Sequence, residues 1–115
     1  AFLPQGVIDG YFHPWAQTAV AVQLGVTQAG DVFDATSVDA LSLAGRPVRA
    51  SFPIAKNVNG VTVGLSQVQT PFDLGHYVVF DREDVQHQVE CFVDGVGTAE
   101  GPRIVAPAPR STPCQ

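Results

Sequence analysis

At 115 residues the chain is at most one domain, long enough for a single core burying roughly two thirds of its unfolded surface. With 45% hydrophobic and only 15% charged residues, it is too apolar for a disordered segment. A net charge of -5, with 6 basic residues that never form a run, argues against nucleic acid or an anionic membrane surface as a partner. No apolar stretch approaches the roughly 20 residues of a transmembrane span.

Met is absent, position 1 included, and the chain is therefore read as a processed product or a piece of a longer protein. Any export signal has been removed or lies upstream. Cys91 and Cys114 lack the C-x-x-C spacing of a metal or redox motif, which makes them a disulfide candidate for an oxidising compartment, secreted or periplasmic. A bridge would stabilise the fold by roughly 3 kcal/mol in the chain-entropy view. Two free cytosolic thiols are the alternative.

Residues 1–9 form an apolar run broken by Pro4, which suits a strand entrance or bulge better than a central ladder position. The run ends in Asp9-Gly10. Read alone, Asp9 serves as a turn residue or helix cap, but an acid at the end of such a strand also stands where α/β folds gather their ligands. Pro14 opens a helix over Trp15 to Leu24, with Trp15, Ala19, Val22 and Val26 as its apolar stripe and Gly25 as its cap. Trp15 is thereby expected in the core or in a groove wall.

From Thr27 to Asn57 the signals weaken. Breaks at Gly30-Asp31, Gly45-Arg46-Pro47 and Phe52-Pro53 suggest a long irregular connection holding one short helical turn near Ser37 to Leu43. Asp31, Asp34 and Asp39 lack the glycine and terminal Glu of an EF-hand loop and read as a solvated acidic loop. Asn59-Gly60 marks a turn, and Val61 to Ser66 alternates as the clearest strand, running on to Val68.

The loop Pro71 to Gly75 then delivers His76, where an imidazole can be held between two rigid elements. Asp81 is expected to cap the next helix, with Asp84 in the reciprocal capping position. Val85, Val89, Phe92 and Val93 give that helix a core-facing stripe, ending at Asp94-Gly95, and His87 falls on its polar side. From Gly101 the proline-rich tail has little helix or sheet potential.

An acid and then a histidine, each following a strand, match the second half of the order Ser…Asp/Glu…His in α/β-hydrolases. The chain resembles the C-terminal part of a secreted α/β-hydrolase of the esterase and lipase type. Gly6-Val7-Ile8-Asp9-Gly10-Tyr11-Phe12-His13-Pro14 looks like the acid-bearing turn, Gln17 to Gly25 like the helix after it, and Gly75-His76-Tyr77-Val78-Val79-Phe80 like the histidine turn. The resemblance implies an α/β fold made of the end of the hydrolase sheet, two or three strands with two helices, incomplete as a standalone domain. It assigns residues 1–105 to that segment and 106–115 to a tail.

It further implies a Ser-His-Asp triad in which His76 is the base and Asp9 orients it. The substrate would be an ester or lipid small molecule, with no cofactor and no metal. The chain departs from the family in having no Gly-x-Ser-x-Gly elbow; Gly64-Leu65-Ser66-Gln67-Val68 lacks the second glycine and lies inside a strand. The serine would come from the upstream N-terminal part of the same protein, and the chain alone would be inactive. The gap from Asp9 to His76 (76 − 9 = 67 positions) is long for the family and makes 27–57 an insertion or an unusual loop.

A second class is a small exported, non-enzymatic binding or structural domain, with a three- or four-stranded sheet on two helices. A metal site built from His13, His76 and His87 has no supporting spacing.

Overall fold

Val61 to Val68 is the alternating run that reads as the clearest strand of the sequence. A computed structural model of the chain describes residues 1–45, 50–71 and 74–115. In it the last five residues of that run are the central strand of a parallel sheet, so the fold is α/β. The strands are β1 (Phe2–Gly6), β2 (Thr27–Ala29), β3 (Ile54–Ala55), β4 (Gly64–Val68) and β5 (Arg103–Ile104). The helices are α1 (Pro14–Leu24), α2 (Ala35–Leu43), α3 (Val78–Asp81) and α4 (Glu83–Val96). The sheet order is β1-β4-β2, with Leu3 opposite Leu65 and Gln28 opposite Leu65 from the other side. β3 and β5 form a separate antiparallel ribbon.

Successive strand residues face opposite sides of a sheet, and β4 serves both. Leu65 packs with Ala21 of α1, Leu41 of α2, Val26 and Val63. Val68 meets Val78 and Val85 of α3 and α4, while Gly64 abuts Ile54 and Ile104 of the ribbon. Helices α1 and α2 therefore cover one face, and α3, α4 and the ribbon cover the other.

Pro4 sits inside β1 opposite Ser66, which the sheet edge makes tolerable. The Ala1 carbonyl accepts from Gly64 N and Val7 N donates to the Val68 carbonyl, so odd-numbered residues carry the ladder. Pro4 turns its ring nitrogen to the open side, where no donor is needed.

Several expectations need correction. Trp15 is 71% exposed; α1 buries Thr18 and Ala21 instead. The 27–57 stretch is more ordered than expected, holding β2 and β3 as well as α2, whose cap is the Asp34 carboxylate accepting from Thr36 N at 3.0 Å. The break at Gly45-Arg46-Pro47 reaches beyond the described residues, as do 72–73 in the loop before His76. Asp81 ends α3 rather than capping α4, which starts at Glu83 behind Arg82. Val93 is exposed and His87 is buried.

The reason for that last reversal is the tail. Ile104 and Val105 are buried, and β5 pairs with β3. The Gln88 amide donates to the Val105 carbonyl at 2.7 Å, and a disulfide joins Cys91 to Cys114 with Cα atoms 5.4 Å apart. The side of α4 carrying His87, Gln88 and Cys91 is therefore covered by chain that was expected to be free. Among the described residues no helix is long and apolar enough to cross a membrane.

Candidate functional site

β1 and β4 are parallel neighbours, so the loops that leave their carboxyl ends emerge side by side, the usual place for a site in an open α/β sheet. Three backbone contacts sew the loops together. Val7 N donates to the Val68 carbonyl at 3.0 Å, Gly75 N donates to the Ile8 carbonyl at 2.7 Å, and Asp9 bridges to Leu74. Gly6 and Gly75 lie so close that a Cβ on either would run into the other loop's backbone. That close approach requires glycine at both positions.

The result places Asp9 against His76. Asp9 Oδ2 is 3.4 Å from His76 Nδ1; the acid's side chain is 4% exposed and the imidazole 43%. Apo sites commonly show such slightly long separations, which close to hydrogen-bond length with a small ring rotation. The carboxylate is fixed from behind. Its Oδ1 accepts from Tyr11 N and Phe12 N, each at 2.8 Å, and its Oδ2 accepts from the Gln17 amide at 3.2 Å. The turn-residue reading of Asp9 describes Oδ1, while Oδ2 is the oxygen that faces His76.

Gln17 escapes a sequence reading that looks for titratable groups. Its amide also donates to the Phe12 carbonyl at 2.6 Å, so one side chain on α1 holds both the acid and the loop around it. The signal available was a polar residue in the first turns of an otherwise apolar helix.

Two phenols flank the imidazole. The Tyr11 and Tyr77 rings each lie 5.1 Å from that of His76, and the two tyrosines meet edge-on at 6.1 Å. The Tyr77 hydroxyl is pushed above its ordinary pKa, first by the Tyr11 phenol beside it and then by burial and by Tyr11 hydrogen bonding, with Asp81 and Asp9 adding to the effect. On the two loops, Phe12 and Leu74 are exposed.

Ser66 is buried in the middle of β4, in no position to meet a substrate at the loop ends. His13 is exposed at the start of α1, and among the described residues neither it nor His76 belongs to a cluster of metal-type ligands. No protein-family model, curated protein or solved structure matches the chain.

Proposed function

We propose that Asp9 and His76 are the acid and base of a serine ester hydrolase whose nucleophile lies outside this chain, on the upstream part of the same protein. The observation that carries the reading is the His76 Nδ1 to Asp9 Oδ2 approach of 3.4 Å, made by a buried acid and a half-exposed imidazole. With Nδ1 turned to the carboxylate, Nε2 points the other way and is the atom free to serve a substrate.

A serine hydroxyl brought to Nε2 would give up its proton there as its oxygen attacks the ester carbonyl. The imidazolium so formed lies beside the Asp9 carboxylate, which stabilises its charge and holds its tautomer. The same proton then passes to the departing alkoxide, and a water repeats the cycle on the acyl-enzyme. The sheet would be the end of a larger hydrolase sheet, continued by strands outside this chain. A disulfide is compatible with an oxidising compartment, which agrees with a secreted or periplasmic enzyme.

The test is the coding sequence upstream of Ala1, followed by assay of the encoded full-length protein on short-chain aryl esters. An in-frame Gly-x-Ser-x-Gly after a strand is expected, and His76→Ala should lower turnover by several orders of magnitude. Full activity in that variant would overturn the assignment.

A second reading is a small exported binding domain. The observation favouring it is the exposure of the aromatic side chains Tyr11, Phe12, Trp15 and Phe80, since exposed apolar surface can mark interaction sites. A full-length protein with no nucleophile elbow would select this reading.

A further inference from the structure

A buried histidine that the dyad does not use lies on α4. His87 is 3% exposed, and its Nδ1 and Nε2 stand 3.6 and 3.8 Å from the Sγ of Cys91, one turn further along the helix. Residues at i and i+4 share one stripe of a helix, the spacing by which a helix presents two ligands to one metal. The tail adds a third, and the ligand-type atoms of His87, Cys91 and Cys114 all lie within 4.8 Å of one another.

Tetrahedral zinc, with Zn–S near 2.3 Å and Zn–N near 2.0–2.1 Å, implies ligand-to-ligand edges of roughly 3.5 Å for sulfur to nitrogen and roughly 3.8 Å for sulfur to sulfur. The His87–Cys91 edge already has that length. Cα atoms 5.4 Å apart leave both sulfurs in reach of a single ion. A cleft of about 150 Å³, lined by both cysteines together with Asp94 and Glu100, reaches the two sulfurs from solvent, and a second cleft reaches His87.

We propose that opening of the Cys91–Cys114 bridge by a small dithiol turns this cluster into a three-ligand site for a thiophilic divalent cation of the zinc type. The dithiol supplies two electrons and becomes a cyclic disulfide, while each cysteine sulfur takes a proton. On binding, both thiols lose those protons to solvent, the imidazole binds neutral through one nitrogen, and two thiolates balance the dication. Solvent holds the fourth position. With the bridge closed neither sulfur is a thiolate and the site does not exist.

Reduction does not release the tail. Arg110 grips the Glu90 carboxylate on α4, Gln88 holds the Val105 carbonyl, and β5 stays paired with β3. Cys114 is thereby kept near Cys91 by contacts that owe nothing to the bridge.

The experiment uses the full chain, reduced with dithiothreitol, freed of it by anaerobic gel filtration and titrated with Zn²⁺ and with Co²⁺. One equivalent should bind, with a thiolate-to-cobalt charge-transfer band and the visible spectrum of a tetrahedral ion. His87→Ala should weaken binding by more than the roughly 10–100-fold that loss of an outer-shell partner costs. Cys114→Ser should remove the charge-transfer contribution of one sulfur, and His13→Ala should change nothing. Circular dichroism should show the reduced chain still helical. No metal bound after reduction, equal affinity in His87→Ala, or a reduced chain that has lost its helices would each overturn the proposal. None of these readouts involves Asp9 or His76.

Discussion

Gly75→Ala isolates the packing that brings the two site loops together. Gly75 is not in the left-handed region, so the effect of a methyl there is steric rather than conformational. The new Cβ would lie 2.6 Å from the Ile8 carbonyl carbon and 3.0 Å from Asp9 N, with the Ile8 oxygen closer still. Ordinary contact begins near 3.4 Å, so the loops must part by at least about 0.8 Å, the difference between 3.4 and 2.6 Å, and by more to clear the Ile8 oxygen. The hydrogen bond from Gly75 N to the Ile8 carbonyl, 2.7 Å long, breaks with that movement.

Losing the bond costs about 1 kcal/mol and overpacking about 1–3 kcal/mol. The stiffer unfolded chain offsets about 0.4–1 kcal/mol of this. A net cost of about 2 kcal/mol should lower the melting temperature by about 8 °C, taking ~4 °C per kcal/mol for a chain of this size. The same movement takes His76 Nδ1, now 3.4 Å from Asp9 Oδ2, out of reach, and on the proposed hydrolase reading misplacement on this scale would cost the full-length protein on the order of 100-fold in rate. Thermal melts under non-reducing conditions and long-range ¹H–¹⁵N NMR of the imidazoles measure the two effects separately. A variant that melts with the parent and keeps its His76 signals would refute the close-packing argument.

Other consequences can be checked in the same way. On the proposed hydrolase reading, Asp9→Asn in the full-length protein should lower ester turnover by roughly 10⁴-fold, because an amide nitrogen facing Nδ1 favours the wrong tautomer; a parental rate would mean that another acid holds His76. Alkylation of the folded chain without reductant should add no mass. Reduction should cost about 3 kcal/mol for a bridge spanning 23 positions in the chain-entropy view, read as a drop in denaturation midpoint. Thr18→Val should cost about 1–3 kcal/mol, because the Thr18 hydroxyl meets Ser37 Oγ at 2.6 Å, the Gln5 amide at 3.3 Å and the Pro14 carbonyl at 2.8 Å, and buried partners left unpaired are costly. An unchanged melting temperature in that variant would show the network to be energetically idle.

Elements with their own periodicity are legible in the sequence. β4 alternates, α4 carries Glu83 and Asp84 in its first turn, and the cap at Gly25 and the turn at Asn59-Gly60 are marked by residues that tolerate positive φ, 67° at Gly25 and 49° and 81° in the turn. β2, β3 and β5, at three, two and two residues, are too short to show alternation, and their pairing is a tertiary event. The same holds for His87. Its helical position reads as polar, and only the tail folding back over α4 makes it buried. The spacing from His87 to Cys91 was visible as i, i+4, but it carries meaning only once Cys114 is known to lie beside it.

The misplacement of Trp15 has a cause that also explains the site. α1 is apolar on almost every side, so its periodicity leaves its rotation undetermined. What fixes the rotation is a buried polar layer. The Gln5 carbonyl oxygen accepts from Ser37 Oγ at 3.2 Å and from the Gln67 amide at 3.1 Å, while its nitrogen donates to Thr18 and the Pro14 carbonyl. Gln67 in turn accepts from Phe33 N and Asp34 N at 2.7 and 2.9 Å. Gln5 and Ser37 each lose a partner on α1 if the helix turns, whereas sliding one apolar side chain past another costs little, so the polar contacts set the orientation. With Thr18 turned inward, Gln17 is carried to Asp9 and Trp15 is left facing solvent. The side chain that anchors the acid is thus placed by hydrogen bonds beneath the helix, which no count of apolar residues along it could reveal.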